Sequence, residues 1–212
     1  MNDFGVIVGT FIDASGILHG FQRSSSGAYT TTDFPGAPDS QLTGINNSGE
    51  IAGAYDLGNR ASTKCPGPTC QAFSFLLRSG QFSAFSDPAA DPSLTFAFSL
   101  NNHGQTAGLF RDPAGNVKGF IRNADGSFRN IQFPMADAFT YLEQINDLGI
   151  AAGEYNITFG HGFLTDGTHF LSLDYPDSVA SDVRAINNRG QVGGLFVAPD
   201  GSVHAYIAHS EE

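Results

Sequence analysis

A nine-residue pattern that contains asparagine and ends in glycine occurs five times, and it constrains the fold more than any other feature of the chain. Its copies lie at residues 1–9, 45–53, 100–108, 145–153 and 186–194. The closing glycines stand at positions 9, 53, 108, 153 and 194, so successive copies are 44, 55, 45 and 41 residues apart. A spacing of about 40 to 50 residues is typical of the four-stranded blades of β-propellers. The sequence therefore predicts one blade for each copy.

Each repeat unit carries further landmarks in a constant order. A turn such as Asp112–Gly115 follows the pattern, then a short apolar segment such as His19–Phe21, and several units close on an aromatic residue and proline, as in Asp33–Pro35. Asparagine and glycine adopt positive φ at little cost, so the turns are predicted to be hairpin turns. Proline cannot donate to a strand ladder, so it marks an outer edge strand. We therefore predict four strands per unit, named a to d from the propeller axis outward.

The predicted fold is all-β: a five-bladed β-propeller of four-stranded antiparallel blades, with about 18 strands and almost no helix. A single domain covers residues 1–212, in repeat units that we place at about 1–39, 40–94, 95–139, 140–180 and 181–212. The 26 glycines and 10 prolines are typical of a chain built from turns. The first unit lacks its inner strand and the last unit lacks its outer strand, so both end blades are expected to be incomplete.

The units resemble the bacterial HAF-type extracellular repeat family, whose repeats read roughly Gly-Ile-Asn-Asn-x-Gly-Gln-Ile-Val-Gly, then His-Gly-Phe or His-Ala-Phe, then Asp-Phe-Pro-Gly-Ala. Matching segments in this chain include Ile186–Gly194, His161–Phe163 and Asp33–Pro35. The resemblance covers essentially the whole chain. It implies a β-propeller of the kind usually found on secreted or surface proteins, without any particular reaction, and it therefore predicts a secreted or periplasmic location.

The charge of the chain narrows the classes of partner. Ten Lys and Arg residues stand against 21 Asp and Glu residues, which gives a formal net charge of −11. Nucleic acid is not an expected partner, because neutralising its phosphates requires clustered basic side chains. No apolar run approaches the length of a membrane span, so no membrane partner is expected. Residues 1–5 lack a basic region followed by an apolar stretch, so the sequence predicts no signal peptide here.

Histidines and acidic turns are the first candidates for a metal site. His19, His161 and His204 occupy one position of the repeat, where the other units carry Gln71 and Lys118. On a five-fold ring these positions lie roughly 15 Å apart, too far to share a metal ion. We interpret them as strand residues that bond to the backbone of a neighbouring loop. Each acidic turn offers one carboxylate, far short of a calcium site, so we predict no metal and no cofactor.

Two cysteines, Cys65 and Cys70, lie in an insertion of the second unit, in the segment Cys-Pro-Gly-Pro-Thr-Cys. Two thiols are too few for a four-cysteine zinc site, and the spacing differs from that of a Cys-x-x-Cys redox pair. We predict a local disulfide that fixes the loop between strands b and c, which favours an oxidising compartment. Two free thiols are the alternative.

The inner strands combine positions that recur with positions that vary. Ser or Thr six residues before the asparagine, an apolar residue four before it and Ile or Leu directly before it occur in all four copies that have an inner strand. The residues five and three before it differ, and the alternation of a strand places them on one side. Polar groups that converge beside aromatic rings are typical of a binding site, although channel walls can also vary where packing is loose. The predicted ligand-binding residues are Gln41, Thr43, Phe96, Phe98, Tyr141, Glu143, Asp182 and Arg184.

Three functions are compatible with these residues. The leading hypothesis is a binding module with one asymmetric site for a small molecule, glycan or peptide at the channel mouth. A lectin would repeat its binding residues in each blade, and the chain has no tryptophan, the best platform for ring stacking. The alternative is a hydrolase, lyase or isomerase with Glu143 or Asp182 as acid or base, Tyr141 as proton donor and Arg184 holding an anion. A third hypothesis is an interaction domain that forms a homodimer through its incomplete blades.

The predicted site contains two opposite charges at the same position of adjacent units. Glu143 and Arg184 both stand three residues before a repeat asparagine. Inner strands lie close together at the axis of a propeller. We therefore expect these two side chains to form a direct or water-bridged ion pair.

Overall fold

A computed structural model of the chain describes residues 1–56, 71–91, 94–134, 139–156 and 160–209. All regular elements in these ranges are β-strands, joined by tight turns. The strands are, in chain order, β1 Ile7–Ile12, β2 Leu18–Arg23, β3 Tyr29–Thr31, β4 Asp39–Ile45, β5 Ile51–Asp56, β6 Phe73–Arg78, β7 Gln81–Phe85, β8 Thr95–Leu100, β9 Thr106–Arg111, β10 Val117–Arg122, β11 Phe128–Ile131, β12 Thr140–Ile145, β13 Ala151–Tyr155, β14 His161–Thr165, β15 Phe170–Ser172, β16 Ala180–Ser181, β17 Ala185–Ile186, β18 Val192–Val197 and β19 Val203–Ala208.

The strands form five antiparallel sheets in chain order, arranged as the blades of a five-bladed β-propeller, so the predicted fold is confirmed. The middle three blades are β4 to β7, β8 to β11 and β12 to β15, and the first blade holds only β1 to β3. The fifth blade has its inner strand in two pieces, β16 and β17, which both pair with β18. Counting those pieces as one strand gives the predicted 18. Within the described ranges, no helix is long and apolar enough to cross a membrane.

The asparagine of each repeat pattern closes its own turn, and in the first four units it also reaches the next blade. Asn101 Oδ1 accepts the backbone N–H groups of His103 and Gln105 at 3.0 and 2.9 Å. Its Nδ2 donates to the carbonyl oxygen of Asn146 at 2.9 Å. A carboxamide both accepts and donates, so this one side chain meets both needs. The same step links the other neighbouring blades, in the pairs Asn2–Asn46, Asn46–Asn101 and Asn146–Asn187.

Among the described residues, this asparagine ladder has no step from the fifth blade back to the first. Asn187 Nδ2 donates to Gln191 Oε1 of its own turn at 2.7 Å, as Asn101 Nδ2 does to Gln105 Oε1 at 2.9 Å, but it makes no bond to Asn2. The end blades are also the incomplete ones: in the described ranges β1 pairs only with β2, and the fifth blade has no outer strand. The junction between the fifth and first blades therefore differs from the other four.

A small residue that recurs in strand c lets the inner strand of the next blade pack closely against it. In three blades this small residue is a glycine, and a Cβ atom added to it would come within 2.6–3.1 Å of the apolar residue that lies four positions before the asparagine of the next unit. At these three positions close packing rather than backbone conformation favours glycine. The pairs are Leu42 on Gly20, Leu142 on Gly119 and Val183 on Gly162.

The aromatic residue before proline also acts between blades. It stacks face to face on an aromatic residue of the following blade, with ring centroids 3.7 to 3.8 Å apart. These contacts bury the ring faces between neighbouring blades, and the burial of aromatic surface stabilises the contact between the blades. The pairs are Phe34 with Tyr55, Phe133 with Tyr155, and Tyr175 with Phe196.

The repeated histidines bond to carboxylates rather than to loop backbone, which corrects the expectation from sequence. His19 Nδ1 lies 2.7 Å from Asp33 Oδ2, and His161 Nδ1 lies 3.0 Å from Asp174 Oδ2. These aspartates begin the Asp-aromatic-Pro segments, so the pair joins strand c to the end of its own blade. His204, whose blade has no such segment, contacts Ser202 instead. Cys65 and Cys70 lie outside the described residues, and the disulfide remains a prediction.

Candidate functional site

The inner strands carry bulges at the position three residues before each repeat asparagine. In β4, β8 and β12 the pairing with the next strand skips one residue, which is Thr43, Phe98 or Glu143. A bulge redirects the side chain of its extra residue, so the regular alternation expected from sequence is interrupted there. In the fifth blade the inner strand breaks between β16 and β17, and Asp182 Oδ1 accepts the Leu195 N–H group at 2.7 Å.

Two cavities adjoin the inner strands. The larger, of about 500 Å³, lies on the axis at the end where the five asparagine turns meet. Its lining includes Thr43, Phe98 and Glu143 of the predicted site. The smaller, of about 230 Å³, lies between the fourth and fifth blades, and its lining includes Glu154, Asp182, Arg184 and Phe196. Charged side chains of the fourth and fifth blades therefore contribute to the walls of these spaces.

Five side chains of the fourth and fifth blades form what we call the channel cluster: Tyr141, Glu143, Glu154, Asp182 and Arg184. The Tyr141 hydroxyl donates to Glu154 Oε2 at 2.9 Å. Arg184 Nε donates to Asp182 Oδ2 at 2.7 Å, so the guanidinium pairs with a residue of its own blade. Of the direct or water-bridged ion pair expected with Glu143, the direct form is not made. Glu143 still lies within electrostatic reach of Arg184, Asp182 and Tyr141. Three carboxylates thus share one guanidinium.

Burial shifts the protonation of the cluster. It raises the pKa of Glu143 and of Glu154, and Arg184 opposes the rise only partly. Burial and the two glutamates raise the pKa of the Tyr141 hydroxyl far above its ordinary value, so that hydroxyl remains a donor. Burial disfavours the charged form of Arg184, but the hydrogen bond and the charge of Asp182 help to outweigh it and raise the pKa of Arg184. Ionising the buried carboxyls of Glu143 and Glu154 therefore costs free energy, as is common at functional sites.

The other predicted residues lie on the second and third blades and do not join the cluster. Phe96 is only 7% exposed and belongs to an apolar core between those blades. Phe98 lies between it and Tyr141, with ring centroids 4.7 and 6.0 Å away. Thr43 donates from its hydroxyl to the Ala52 carbonyl oxygen at 3.2 Å. Gln41 pairs with β5 and is half-buried. Phe98 and Tyr141 thus supply an aromatic wall beside the charges.

Sequence reasoning missed Glu154, the second-strand residue of the cluster. It directly follows the closing glycine of its repeat, where the other units carry Thr10, Ala54, Leu109 and Leu195. Comparing this position across the five units would have identified Glu154, because it is the one charged residue among them. It faces Tyr141 across the β12–β13 pairing.

The raised pKa of Glu143 predicts a pH-dependent gain in stability for Glu143→Gln. The folded state binds the proton more tightly than the unfolded state, whose carboxyl titrates near the ordinary glutamate pKa of 4.5. The protonated Glu143 carboxyl therefore stabilises the folded wild type below that pH. This stabilisation is lost as the pH rises through the raised pKa of Glu143. We therefore expect Glu143→Gln to melt above wild type at neutral pH, with the difference vanishing near pH 4.5.

Thermal melts of both proteins across this pH range test the prediction. Asp200→Asn is a control of opposite sign, because hydrogen bonds from Ser202 lower the pKa of this exposed carboxyl. Replacing the Asp200 carboxylate should therefore lower the melting temperature slightly at neutral pH. A Glu143→Gln variant that is less stable than wild type at neutral pH would contradict the assignment of an unbalanced charge.

Comparison with known proteins identifies the fold alone. No family model and no curated protein matches the chain. Among solved structures it is similar to TolB from Acinetobacter baumannii, with a TM-score of 0.64 and 13% identity over 96% of this chain and 51% of that one. The chain thus spans about half the length of TolB.

Two further solved structures are similar in fold. One is a lectin from Aleuria aurantia described as a six-bladed β-propeller that recognises fucose, with a TM-score of 0.57 and 12% identity over 97% of this chain and 71% of that one. The other is virginiamycin B lyase from Staphylococcus aureus with quinupristin, with a TM-score of 0.51 and 12% identity over 96% and 71%. The similar propellers thus include both a binding protein and an enzyme.

Proposed function

We propose that this propeller is a binding module with one asymmetric ligand site, the channel cluster, and that the ligand presents a cationic group to it. The observation that carries the proposal is that three carboxylates and a tyrosine hydroxyl converge on the fourth and fifth blades around a single guanidinium. Equivalent positions in the other blades carry uncharged residues.

The charge balance supports a cationic group. With Glu143, Glu154 and Asp182 ionised, Arg184 neutralises one of three negative charges. A positive group in the adjoining cavities would offset one of the remaining two, and a site of low polarity strengthens that attraction. The pKa of both glutamates is raised by burial, so ligand binding would draw them to the charged form.

The aromatic wall supports the same class. Phe98 and Tyr141 stand 6.0 Å apart between their centroids at an angle of 48°. An ammonium or guanidinium group over an aromatic face gains free energy from the ring quadrupole, most of all when it is desolvated. A small amine, or a peptide with a basic side chain, fits this combination of groups better than a neutral glycan does.

An enzyme is the second candidate, and a specific observation favours it. A buried carboxyl with a raised pKa beside a hydrogen-bonded tyrosine is a common arrangement for acid–base catalysis. Glu143 would act as the acid or base, Tyr141 as the proton donor and Arg184 as the group that holds an anion. Turnover of a bound ligand would distinguish this candidate from the binding module.

A panel of probes tests the proposed ligand class. Thermal shifts would be measured with agmatine, spermidine and choline, and with the neutral sugars fucose and glucose as comparison. We expect at least one amine to raise the melting temperature and the sugars to leave it unchanged. Because the glutamates must be charged, the shift should shrink as pH falls towards 4.5. Stabilisation by fucose alone would contradict the cationic ligand and favour a glycan site.

We further propose membership of the HAF-type repeat family and a secreted or periplasmic location, on the repeat landmarks described above. Fractionation of the native host with an antibody against this chain would locate it.

A further inference from the structure

Two arginines face each other across the junction between the second and third blades. Arg78 ends β6 of the second blade, and its Nη2 atom reaches the asparagine turn of the third blade, 3.6 Å from where a Cβ atom on Gly104 would lie. Arg122 ends β10 of the third blade, and its guanidinium carbon lies 4.8 Å from the ring centroid of Phe85 in the second blade. Burial and, after it, the charge of Arg78 lower the pKa of Arg122, so the two guanidiniums lie within electrostatic reach of each other.

Only one of these two arginines has a carboxylate partner. Arg78 Nε lies 2.8 Å from Glu50 Oε1, and the other oxygen of Glu50 accepts a hydrogen bond from the repeat asparagine of its own turn at 2.9 Å. Among the described residues, Arg122 makes no ion pair: its Nη1 donates to the Asn123 carbonyl oxygen at 3.3 Å, and its buried Nε has no hydrogen-bond partner. The carboxylate of Asp125 favours the charged form of Arg122 without pairing with it. Arg122 therefore lacks an acceptor.

A buried hydroxyl stands beside Arg122. Thr106 is directly opposite Arg122 in the pairing of β9 with β10, so the two side chains project from the same face of the sheet. Thr106 is fully buried, and its Oγ1 atom has no hydrogen-bond partner within the described part of the chain. A buried polar group without a partner destabilises a fold. The junction thus collects hydrogen-bond donors that no protein group satisfies.

The equivalent place in the second blade is apolar. There Leu77 and Ile51 are paired in the same register, and both belong to the apolar core that joins the first and second blades. The architecture therefore accommodates an apolar pair at the position that Arg122 and Thr106 occupy in the third blade. Packing alone does not require the arginine and the threonine, so a ligand that accepts their hydrogen bonds is the better explanation.

We propose that this junction binds one oxyanion group, a carboxylate, sulfate or phosphate, between the guanidiniums of Arg78 and Arg122, with the Thr106 hydroxyl as a further donor. Guanidinium groups only donate hydrogen bonds, and their forked geometry matches the oxygens of such anions. The Arg78 side chain is 40% exposed, so an anion can reach it from solvent. This arginine site is separate from the channel cluster and does not depend on the function proposed there.

Thermal melts with inorganic and small organic anions test the arginine site. The full chain is melted in chloride and, at equal ionic strength, with about 10 mM sulfate, phosphate or acetate. We expect at least one of these oxyanions to raise the melting temperature by about 2 °C or more relative to chloride, because a ligand that binds only the folded state stabilises it. Equal melting temperatures in chloride and in all three oxyanions would overturn the proposal.

Matched variants separate the arginine site from a general effect of oxyanions on the protein surface. Arg122→Leu combined with Thr106→Ile restores the apolar pair of the second blade, so this variant should melt above the wild type in chloride and lose the shift with oxyanions. Arg23→Leu is the control, because Arg23 occupies the same repeat position in the first blade, and it should keep the shift. An oxyanion shift of equal size in the double variant and the wild type would overturn the proposal.

A measurement on the wild type alone locates the bound anion. In NMR spectra of the arginine side chains, the Nε–H signals of Arg78 and Arg122 should move when the stabilising oxyanion is added, and the signal of Arg23 should stay in place. The variants assign these signals by their disappearance. An unmoved Arg122 signal, or equal movement of the Arg23 signal, would overturn the arginine site.

Discussion

Gly194→Ala is expected to lower the free energy of unfolding by about 3 kcal/mol, the upper part of the range for overpacking a filled interior. A Cβ atom at this position would overlap the carbonyl oxygen of Asp182 and would approach the ring of Tyr206 to 2.9 Å. The backbone oxygen cannot move without shifting the inner strand of the fifth blade. Urea unfolding measures the loss.

The neighbouring glycine provides the control. At Gly193 the nearest atom to a new Cβ is the Tyr206 carbonyl oxygen at 3.6 Å, an ordinary contact, and the backbone does not require glycine. Gly193→Ala should therefore change stability by less than about 1 kcal/mol, with a gain expected from the stiffer unfolded chain. If Gly194→Ala and Gly193→Ala lowered the free energy of unfolding equally, the close approach of strands a and b would not be the reason why glycine recurs at this position.

The fold was predictable because its local signals repeat. Positive φ at the repeat glycines, such as Gly49 and Gly149, matches the turn chemistry read from the sequence. The asparagine ladder was not predicted, because each side chain bonds a residue 41 to 55 positions away whose placement depends on how neighbouring blades pack. The stacking of Phe34 on Tyr55 was missed for the same reason.

The candidate site was predictable in part. Variation among inner-strand residues pointed to Tyr141, Glu143, Asp182 and Arg184, which the structure brings together with Glu154. The bulge at Glu143 was not foreseen, since a register shift depends on both paired strands. Strand alternation had placed Asp182 and Arg184 on one side, but the hydrogen bond between them was not predicted.

Glu154→Leu is expected to weaken binding of the best amine of the probe panel by at least about tenfold, the effect of losing a desolvated charge contact. Leucine is the residue that the third and fifth units carry at this position, as Leu109 and Leu195, so the blade should fold normally. Asp200→Asn removes the same charge from an exposed turn and should leave affinity unchanged. Equal affinities of these two variants would show that net charge alone draws the amine.

Arg184→Phe tests the sign of the recognised charge. Phenylalanine occurs at this position of the third unit as Phe98. Removing the guanidinium frees Asp182 Oδ2 and leaves the cluster more negative, so amine binding should be kept or strengthened. A large loss of affinity would indicate that Arg184 itself holds the ligand, as an anion-binding or catalytic site would require.

Calorimetric titration of wild type and Glu154→Leu with that amine tests the central claim most directly, because it counts sites as well as measuring affinity. One asymmetric cluster on the fourth and fifth blades predicts a single ligand per chain for wild type and a loss of about tenfold or more in affinity for the variant. Several equivalent sites per chain, or unchanged affinity in Glu154→Leu, would contradict a single site at the channel cluster.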